Sequence, residues 1–493
     1  MIKERPESAR TGAECAPLRR WRSGECTLLP VLLAAVALAW LLILVGRWGF
    51  DDPYVTYRYT SNLLSGKGLV YNPGEKALST VSPLYALLLA GLGLIWRDVP
   101  RVSNAIALTS VAASALLLMT WTKHGQRSGG MIAGLLLCVW PLVLETTGLE
   151  RSLLMLLALA GFYAAERSQY VAAACALALA GMLRPEGLLA GIVVGASIAL
   201  RKRGVPWKAA LLYAAPLGIW YGALWLTSGS LLPTNLVAKQ QQAQMSGGVG
   251  YFGGFIRLLR QYARQPLYWL HGALALAGLH QVLVRARHWG LLLAWTALYF
   301  VGYSLLAVSP YFWYYATLVP AVVVLVAEGA AGVIRWLSRL RLPRPLATGL
   351  AGVLVVCLLA PPLTGTLTIA WRPDARLKVY EEIGTWLRAE TPTGATVGTL
   401  EVGIIGYYSQ RTMVDFSGLV QPEVARQLAA VGTYAGSTKW AIERYEPDYV
   451  VLDRSAFPGL PTSDWFGSTY APVRSFAGLG DLWLTIYQRS EGP

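Results

Sequence analysis

The sequence predicts a polytopic α-helical membrane protein of about eleven spans with a C-terminal extracytoplasmic α/β domain. Three observations support this fold class. The 493 residues are 55% hydrophobic and only 14% charged, whereas soluble domains carry roughly 25% charged residues. The 19 tryptophans and 25 tyrosines suit aromatic belts at membrane interfaces. Long apolar runs continue to Trp371 and then shorten. This pattern excludes a soluble globular enzyme and a disordered chain.

The first predicted span covers residues 26–46, which carry no charge. An apolar helix of about 20 residues is long enough to cross the bilayer core. The positive-inside rule places residues 1–26 in the cytoplasm and Phe50 outside, because basic residues precede the span: Lys3, Arg5, Arg10, Arg19, Arg20 and Arg22. A cleaved signal peptide would have a shorter apolar core and a small-residue cleavage site, and the sequence has neither.

Further apolar runs complete the predicted transmembrane module, residues 27–370. They lie near residues 103–122, 130–145, 150–165, 169–184, 187–200, 209–227, 267–284, 289–308, 312–333 and 346–369. Alternating directions place on the cytoplasmic side the basic clusters at 123–127, 167, 201–208, 285–287 and 335–344. This arrangement requires the short run 83–96 to be half inserted rather than spanning. The predicted outer loops are then 47–102 and 228–266.

The segment 371–493 is predicted to be a soluble α/β domain, which the alternation of spans places outside the cytoplasm. Its pattern predicts a helix over 379–392 and a buried strand with a turn over 396–409. Two further strands are predicted over 447–453 and 482–488.

The net charge of +15 is concentrated in the membrane part and its loops. We therefore expect the lipid bilayer, and not nucleic acid, to be the partner of this charge. The five cysteines and four histidines show no disulfide framework and no metal-ligand spacing.

The first outer loop holds the most informative residues. Asp51 and Asp52 follow the first span and precede a predicted short helix over 53–65. Three polar side chains four residues apart share one face of this helix: Tyr54, Arg58 and Asn62. Two carboxylates beside a cation suit a general base next to a bound phosphate. The alternative is that Asp52 is only the N-cap of the helix, with a solvated polar face.

Three further polar positions fall on the predicted outer side. Glu150 lies in a turn at the membrane edge, where an ionisable group is costly unless it is paired or functional. Arg184 and Glu186 flank a proline at another outer turn, and they either form a site or simply pair with each other. Lys239 is a candidate phosphate contact or an ordinary solvated lysine. The aromatic segment 311–320 is either an interface belt or the wall of a sugar or prenyl site.

Several short motifs, in this order and spacing, resemble the GT-C superfamily of membrane glycosyltransferases. They are the stretch Asp51–Tyr85, TGLE (147–150), RPEG (184–187), PTNLVAK (233–239) and GIIGYYS (403–409). The nearest pattern is that of the group containing the mycobacterial terminal β-(1→2)-arabinofuranosyltransferase. The resemblance implies an integral membrane enzyme that moves a sugar from a polyprenyl-phosphate carrier to an acceptor outside the cytoplasm, with inversion.

The resemblance also implies roles for individual residues. Asp51 corresponds to the catalytic base and Asp52 to its companion, while Glu150 matches the acidic residue of the second outer loop. For the donor phosphate we expect Arg58, Arg184 and Lys239, and for other substrate contacts Tyr54, Asn62 and Glu186. A divalent cation bridging Asp51 and Glu150 is the alternative way to neutralise the leaving group.

The expected function is transfer of an arabinofuranosyl or hexosyl residue from a polyprenyl-phosphate donor to an extracytoplasmic glycan or lipid acceptor. The expected location is a bacterial plasma membrane, crossed many times, with the N-terminus in the cytoplasm. A transporter or flippase of lipid-linked glycans is the competing class, and a membrane scaffold that binds envelope polymers is a third. The charges cluster at one face and no inverted repeat is visible, which favours the enzyme.

Overall fold

The computed structural model describes residues 39–40, 49–75, 78–121, 127–202, 204, 206–229, 236–245, 249–340, 342–371, 374, 376–478 and 483–490. The predicted first span, 26–46, lies outside this description except for residues 39–40. The remainder is a helical bundle followed by an α/β unit.

Within the described residues, six helical stretches are long and apolar enough to cross a membrane: Val99–Thr120, Trp207–Ser228, Leu267–Val284, Arg287–Leu306, Phe312–Leu337 and Arg344–Glu390. The last of these stretches comprises the helices Arg344–Trp371 and Arg376–Glu390. Further helices pack among them: Arg127–Val139, Pro141–Leu144, Arg151–Glu166, Tyr170–Leu183 and Pro185–Lys202. The prediction of a helical membrane protein is confirmed, and the count of eleven spans stays a prediction.

Two glycines let neighbouring helices of the bundle approach closely. A Cβ on Gly278 would lie 1.8 Å from the carbonyl oxygen of Leu325, and a Cβ on Gly329 would lie 2.0 Å from that of Leu274. Apolar side chains gain little by leaving lipid, so close backbone packing of this kind is a main source of helix association in membranes.

Four helices lie in the predicted outer loops: Asp51–Leu64, Pro83–Gly93, Leu236–Met245 and Tyr251–Ala263. The first of them begins at Asp51 with Phe50 as its N-cap, so the suggested capping role of Asp52 is wrong. Both aspartates instead occupy the first turn, where the helix dipole favours negative charge. Gly66 follows the end of the helix with a φ of 73°, which suits a residue without a Cβ.

The C-terminal unit, residues 376–490, contains a five-stranded sheet in the order β2-β1-β3-β5-β4. The strands are β1 Thr396–Thr399, β2 Thr412–Asp415, β3 Tyr449–Asp453, β4 Tyr470–Ala477 and β5 Trp483–Arg489. β1 runs parallel to β2 and β3, whereas β5 is antiparallel to β3 and β4. The accompanying helices are Arg376–Glu390, Val402–Ser409, Pro422–Val431, Tyr434–Tyr445 and Asp464–Thr469.

One element of this unit differs from its prediction. The segment 396–409 was expected to be a strand with a turn, but only Thr396–Thr399 is a strand and Val402–Ser409 is a helix. A short apolar run that is buried on all sides carries no periodicity, so strand and helix cannot be separated by pattern alone.

Candidate functional site

A cavity of about 550 Å³ lies where the outer-loop helices meet the bundle. Its walls are mainly apolar, and six charged side chains reach it: Asp52, Glu150, Arg151, Arg184, Glu186 and Lys239. Leu305 and Leu306 also line the cavity, and 81% and 42% of their surfaces are exposed. Five of the six charged residues were predicted site residues, and the structure brings them together.

Arg184 connects two buried carboxylates. Its Nη1 donates to Glu150, and its Nη2 donates to Oε1 of Glu186 at 2.8 Å. The hydroxyl of Tyr303 donates to the same Glu186 oxygen. Arg184 and Glu186 therefore pair with each other, which is one of the two expectations for them. Glu150 is the third member of this cluster. Since two carboxylates already neutralise Arg184, this arrangement does not favour it as a phosphate ligand.

Arg151 is the charged residue of the cavity that the sequence reasoning missed. It is only 4% exposed, and its Nη1 donates to Oγ1 of Thr317 at 3.2 Å. Its guanidinium carbon lies 5.0 Å from the centre of the Tyr314 ring, and its Nε has no hydrogen-bond partner among the residues that the structure describes. In the part of the chain described, no carboxylate forms an ion pair with it. An arginine at the start of an apolar helix was the available signal.

Lys239 is buried beside Asp52 and is not an ordinary solvated lysine. Its Nζ lies 3.5 Å from Oδ2 of Asp52 and 4.4 Å and 5.4 Å from the ring centres of Tyr311 and Trp313. Its carbonyl oxygen accepts hydrogen bonds from the amide and hydroxyl of Ser309. Burial lowers the pKa of Lys239, but the Asp52 carboxylate and neighbouring tyrosines raise it, and the pKa lies above its usual value.

Asp51 lies outside the cavity and contacts the C-terminal unit. Its Oδ1 accepts a hydrogen bond from the amide of Ile404 at 2.7 Å, and its Oδ2 accepts one from the amide of Gly403 at 2.9 Å. Burial raises the pKa of Asp51 to about 6, the two amides oppose this shift, and the charge of Asp52 adds to it. The two aspartates therefore face different surroundings. Asp51, the predicted base, contacts the C-terminal unit, whereas Asp52 faces the cavity.

The other three predicted residues of the first outer helix contact protein as well, Arg58 and Tyr54 in the C-terminal unit and Asn62 in the loop that follows the helix. Arg58 donates to the carbonyl oxygens of Gly406 and Arg411, both at 2.9 Å. Asn62 donates to the carbonyl oxygens of Val70 and Tyr71, and the Tyr54 ring packs edge-on against that of Tyr407. They share a face as predicted, but that face is covered by protein. We therefore revise their predicted phosphate- and substrate-binding roles.

The predicted metal bridge does not fit this geometry. Asp51 is bound by two backbone amides, and Glu150 is paired with Arg184. Within the described ranges, no group of three or more His, Cys, Asp or Glu side chains could hold a metal ion. We therefore derive no step through a metal at these residues.

The fold is similar to that of solved membrane proteins. The structure of ArnT from Cupriavidus metallidurans bound to undecaprenyl phosphate has a TM-score of 0.56 and 14% sequence identity, over 93% of this chain and 97% of that chain. The apo structure of the same protein has a TM-score of 0.53. The chain therefore shares the overall fold of ArnT. Arabinofuranosyltransferase AftD from Mycobacteria, of which the match covers 40%, has a TM-score of 0.48 at 16% identity.

Sequence comparison adds one match in the C-terminal part. Residues 369–487 match a family described as a domain of unknown function, DUF8728. A search of curated proteins finds no match.

Proposed function

We propose that the protein is a membrane glycosyltransferase that takes a sugar from a polyprenyl-phosphate donor. The sugar is an arabinofuranose or a hexose, and the acceptor is a glycan or lipid outside the cytoplasm. The observation that carries this proposal is the cavity in which Asp52 lies beside Lys239, with the unpaired Arg151 on the same lining. The ArnT structure of the same fold holds undecaprenyl phosphate, which supports a lipid-linked donor.

Asp52 is the proposed general base, in place of the predicted Asp51. The acceptor hydroxyl oxygen attacks the anomeric carbon and forms the new C–O bond, while Asp52 takes the hydroxyl proton. The bond between the anomeric carbon and the phosphate oxygen breaks, and its electron pair leaves with polyprenyl phosphate. Attack opposite the leaving group inverts the anomeric centre. Asp51 is unsuited to this step, because both its oxygens accept amide hydrogen bonds away from the cavity.

Lys239 and Arg151 are the proposed ligands of the donor phosphate. Both are buried cations on the cavity wall, and among the described residues neither guanidinium nor ammonium is neutralised by two carboxylates, as Arg184 is. Positive groups fixed in a largely apolar site stabilise the charge that develops on the leaving phosphate. The Glu150, Arg184 and Glu186 cluster has a different proposed role, which is to hydrogen-bond sugar hydroxyls with the lone pairs that the ion pairs leave free.

The test uses the purified protein in nanodiscs with synthetic polyprenyl-phosphate arabinofuranose and polyprenyl-phosphate hexoses. Wild type should release polyprenyl phosphate with one sugar preferred. Asp52→Asn should bind the donor but turn it over at least about 100-fold more slowly. Asp98→Asn is the matched control, since Asp98 caps a helix in the same loop and asparagine caps equally well. Activity retained by Asp52→Asn contradicts the assignment of the base.

The same purified protein, reconstituted in liposomes, separates the enzyme from a transporter. A transporter would move a fluorescent lipid-linked glycan across the bilayer of a liposome and leave the sugar on its carrier. Release of polyprenyl phosphate without such movement supports the transferase.

A further inference from the structure

The contact between Asp51 and the C-terminal unit depends on a glycine. A Cβ on Gly403 would lie 2.0 Å from the carbonyl oxygen of Asp51 and 2.6 Å from its Oδ2. Any other residue at this position would push the first outer helix away from the helix Val402–Ser409. The carboxylate lies at the N-terminal turn of that helix, where free amides and the helix dipole favour an anion.

The loop that follows the first outer helix strengthens the same contact. The hydroxyl of Tyr71 donates to the carbonyl oxygen of Val402 at 2.6 Å. Asn72 donates to the carbonyl oxygen of Met413 and accepts from its amide, at 2.9 Å and 3.0 Å. Together with Arg58, these bonds attach both the helix and its loop to the C-terminal unit.

The C-terminal unit also reaches the opposite wall of the cavity. Its helix Pro422–Val431 packs against Leu236–Met245, the helix that carries Lys239. Leu419, in the turn before Pro422–Val431, is itself a lining residue. The unit therefore contacts both the element that holds the carboxylate of the site and the element that holds its cation.

We propose that Asp51 is a positioning residue through which the C-terminal unit directs the carboxylate of Asp52 into the cavity. This inference rests on the proposed function, in which Asp52 is the base. Adjacent residues of an α-helix point about 100° apart. Fixing Asp51 on the amides of Gly403 and Ile404 thus fixes the direction of Asp52. The C-terminal unit is accordingly part of the catalytic apparatus, although it supplies no reacting group.

The experiment compares Asp51→Asn and Gly403→Ala with wild type in the full chain. Both variants should lower kcat about 10- to 100-fold, because a displaced base loses its alignment with the acceptor. The KM for the donor should stay within about twofold, because the phosphate ligands are untouched. Gly394→Ala is the matched control, since a Cβ there meets nothing within 4 Å, and it should behave as wild type.

The pH profile separates positioning from catalysis. In Asp51→Asn the acidic limb of kcat should persist at reduced amplitude, since the base Asp52 is still present. Loss of that limb, leaving a residual rate that does not depend on pH, would make Asp51 the base and overturn the inference. Wild-type kcat in Gly403→Ala would overturn it as well. Failure of the Asp52 assignment is recognised separately, by activity in Asp52→Asn.

A third, milder substitution tests the inference if Asp51→Asn and Gly403→Ala fail to fold. Tyr71→Phe removes the hydrogen bond to Val402 without adding an atom. It should lower kcat about two- to tenfold at unchanged donor KM. An unchanged kcat in a folded Tyr71→Phe protein, with its C-terminal unit loosened in limited proteolysis, would refute the inference.

Discussion

We expect the attachment of the C-terminal unit to depend on pH, because it involves the two buried carboxyl groups of Glu401 and Asp51. Burial raises the pKa of Glu401 to about 8, and the nearby charge of Asp51 adds to the shift. Burial raises the pKa of Asp51 to about 6. Asp52 and Asp374 raise the pKa of Glu401 further, and Arg376 lowers it. Both carboxyl groups thus bind protons more tightly in the folded protein than in the unfolded chain, where their ordinary pKa values are 4.5 and 3.8.

The direction of the effect follows from proton linkage. Between about pH 4 and pH 8 the folded state holds more protons than the unfolded state, so the free energy of unfolding falls as the pH rises. One pKa unit corresponds to about 1.4 kcal/mol. The raised pKa of Glu401 therefore contributes a few kcal/mol to the free energy of unfolding at low pH. This contribution is lost progressively as the pH rises to about 8. Glu401→Gln removes the titrating group and should make the protein more stable than wild type at pH 8, with little difference at pH 5.

Thermal unfolding of the detergent-solubilised protein, followed at pH 5, 6, 7 and 8, measures this effect. Limited proteolysis at the same pH values shows whether the C-terminal unit is the part that loosens. Glu382→Gln is the control, because Glu382 is exposed and pairs only weakly with Lys378. A wild-type Tm that is flat or rises from pH 5 to pH 8, or an equal slope in Glu401→Gln, would refute the reasoning.

Three other substitutions test the site and the bundle. Lys239→Met should raise the donor KM about 10- to 100-fold, measured by donor titration, and an unchanged KM would remove Lys239 from the phosphate site. Arg184→Met should cost about 3–5 kcal/mol of stability, because it leaves the buried carboxylates of Glu150 and Glu186 unpaired; an unaltered Tm would contradict this. Gly278→Val should separate two helices of the bundle and lower the yield of folded protein by size-exclusion chromatography, whereas a wild-type profile would show that the close contact is dispensable.

Much of the architecture could be predicted because hydropathy is a property of local sequence. Apolar runs and the change after Trp371 predict the helical bundle and the α/β unit without knowledge of contacts. The residues Asp52, Glu150, Arg184, Glu186 and Lys239 were predicted from different loops. Their placement at one membrane edge depended only on the alternation of spans, and the structure shows them around one cavity.

The wrong predictions about the site concern which atoms a side chain contacts, and not which face of its helix it lies on. Helical periodicity places Tyr54, Arg58 and Asn62 on one face, but it contains no information about whether solvent, substrate or protein covers that face. Tyr54 and Arg58 contact Val402–Ser409, a helix more than 300 positions away in the chain whose helical state an apolar run does not reveal. Asn62 contacts Val70 and Tyr71 of the loop that follows its own helix. The same long-range contact turns Asp51 away from the cavity. Arg151 was missed because its neighbour Glu150 matched a motif.

The exposed side chains of Leu305 and Leu306 have a consequence for how the proposed activity is measured. Because these cavity residues are exposed, we expect the prenyl-linked donor proposed above to arrive by lateral diffusion within the leaflet. The quantity that sets occupancy is then the mole fraction of donor in the membrane, and diluting the donor with inert phospholipid lowers the rate even when its amount per volume of buffer is constant. Apparent affinities from different detergents or vesicles become comparable only after conversion to this surface concentration.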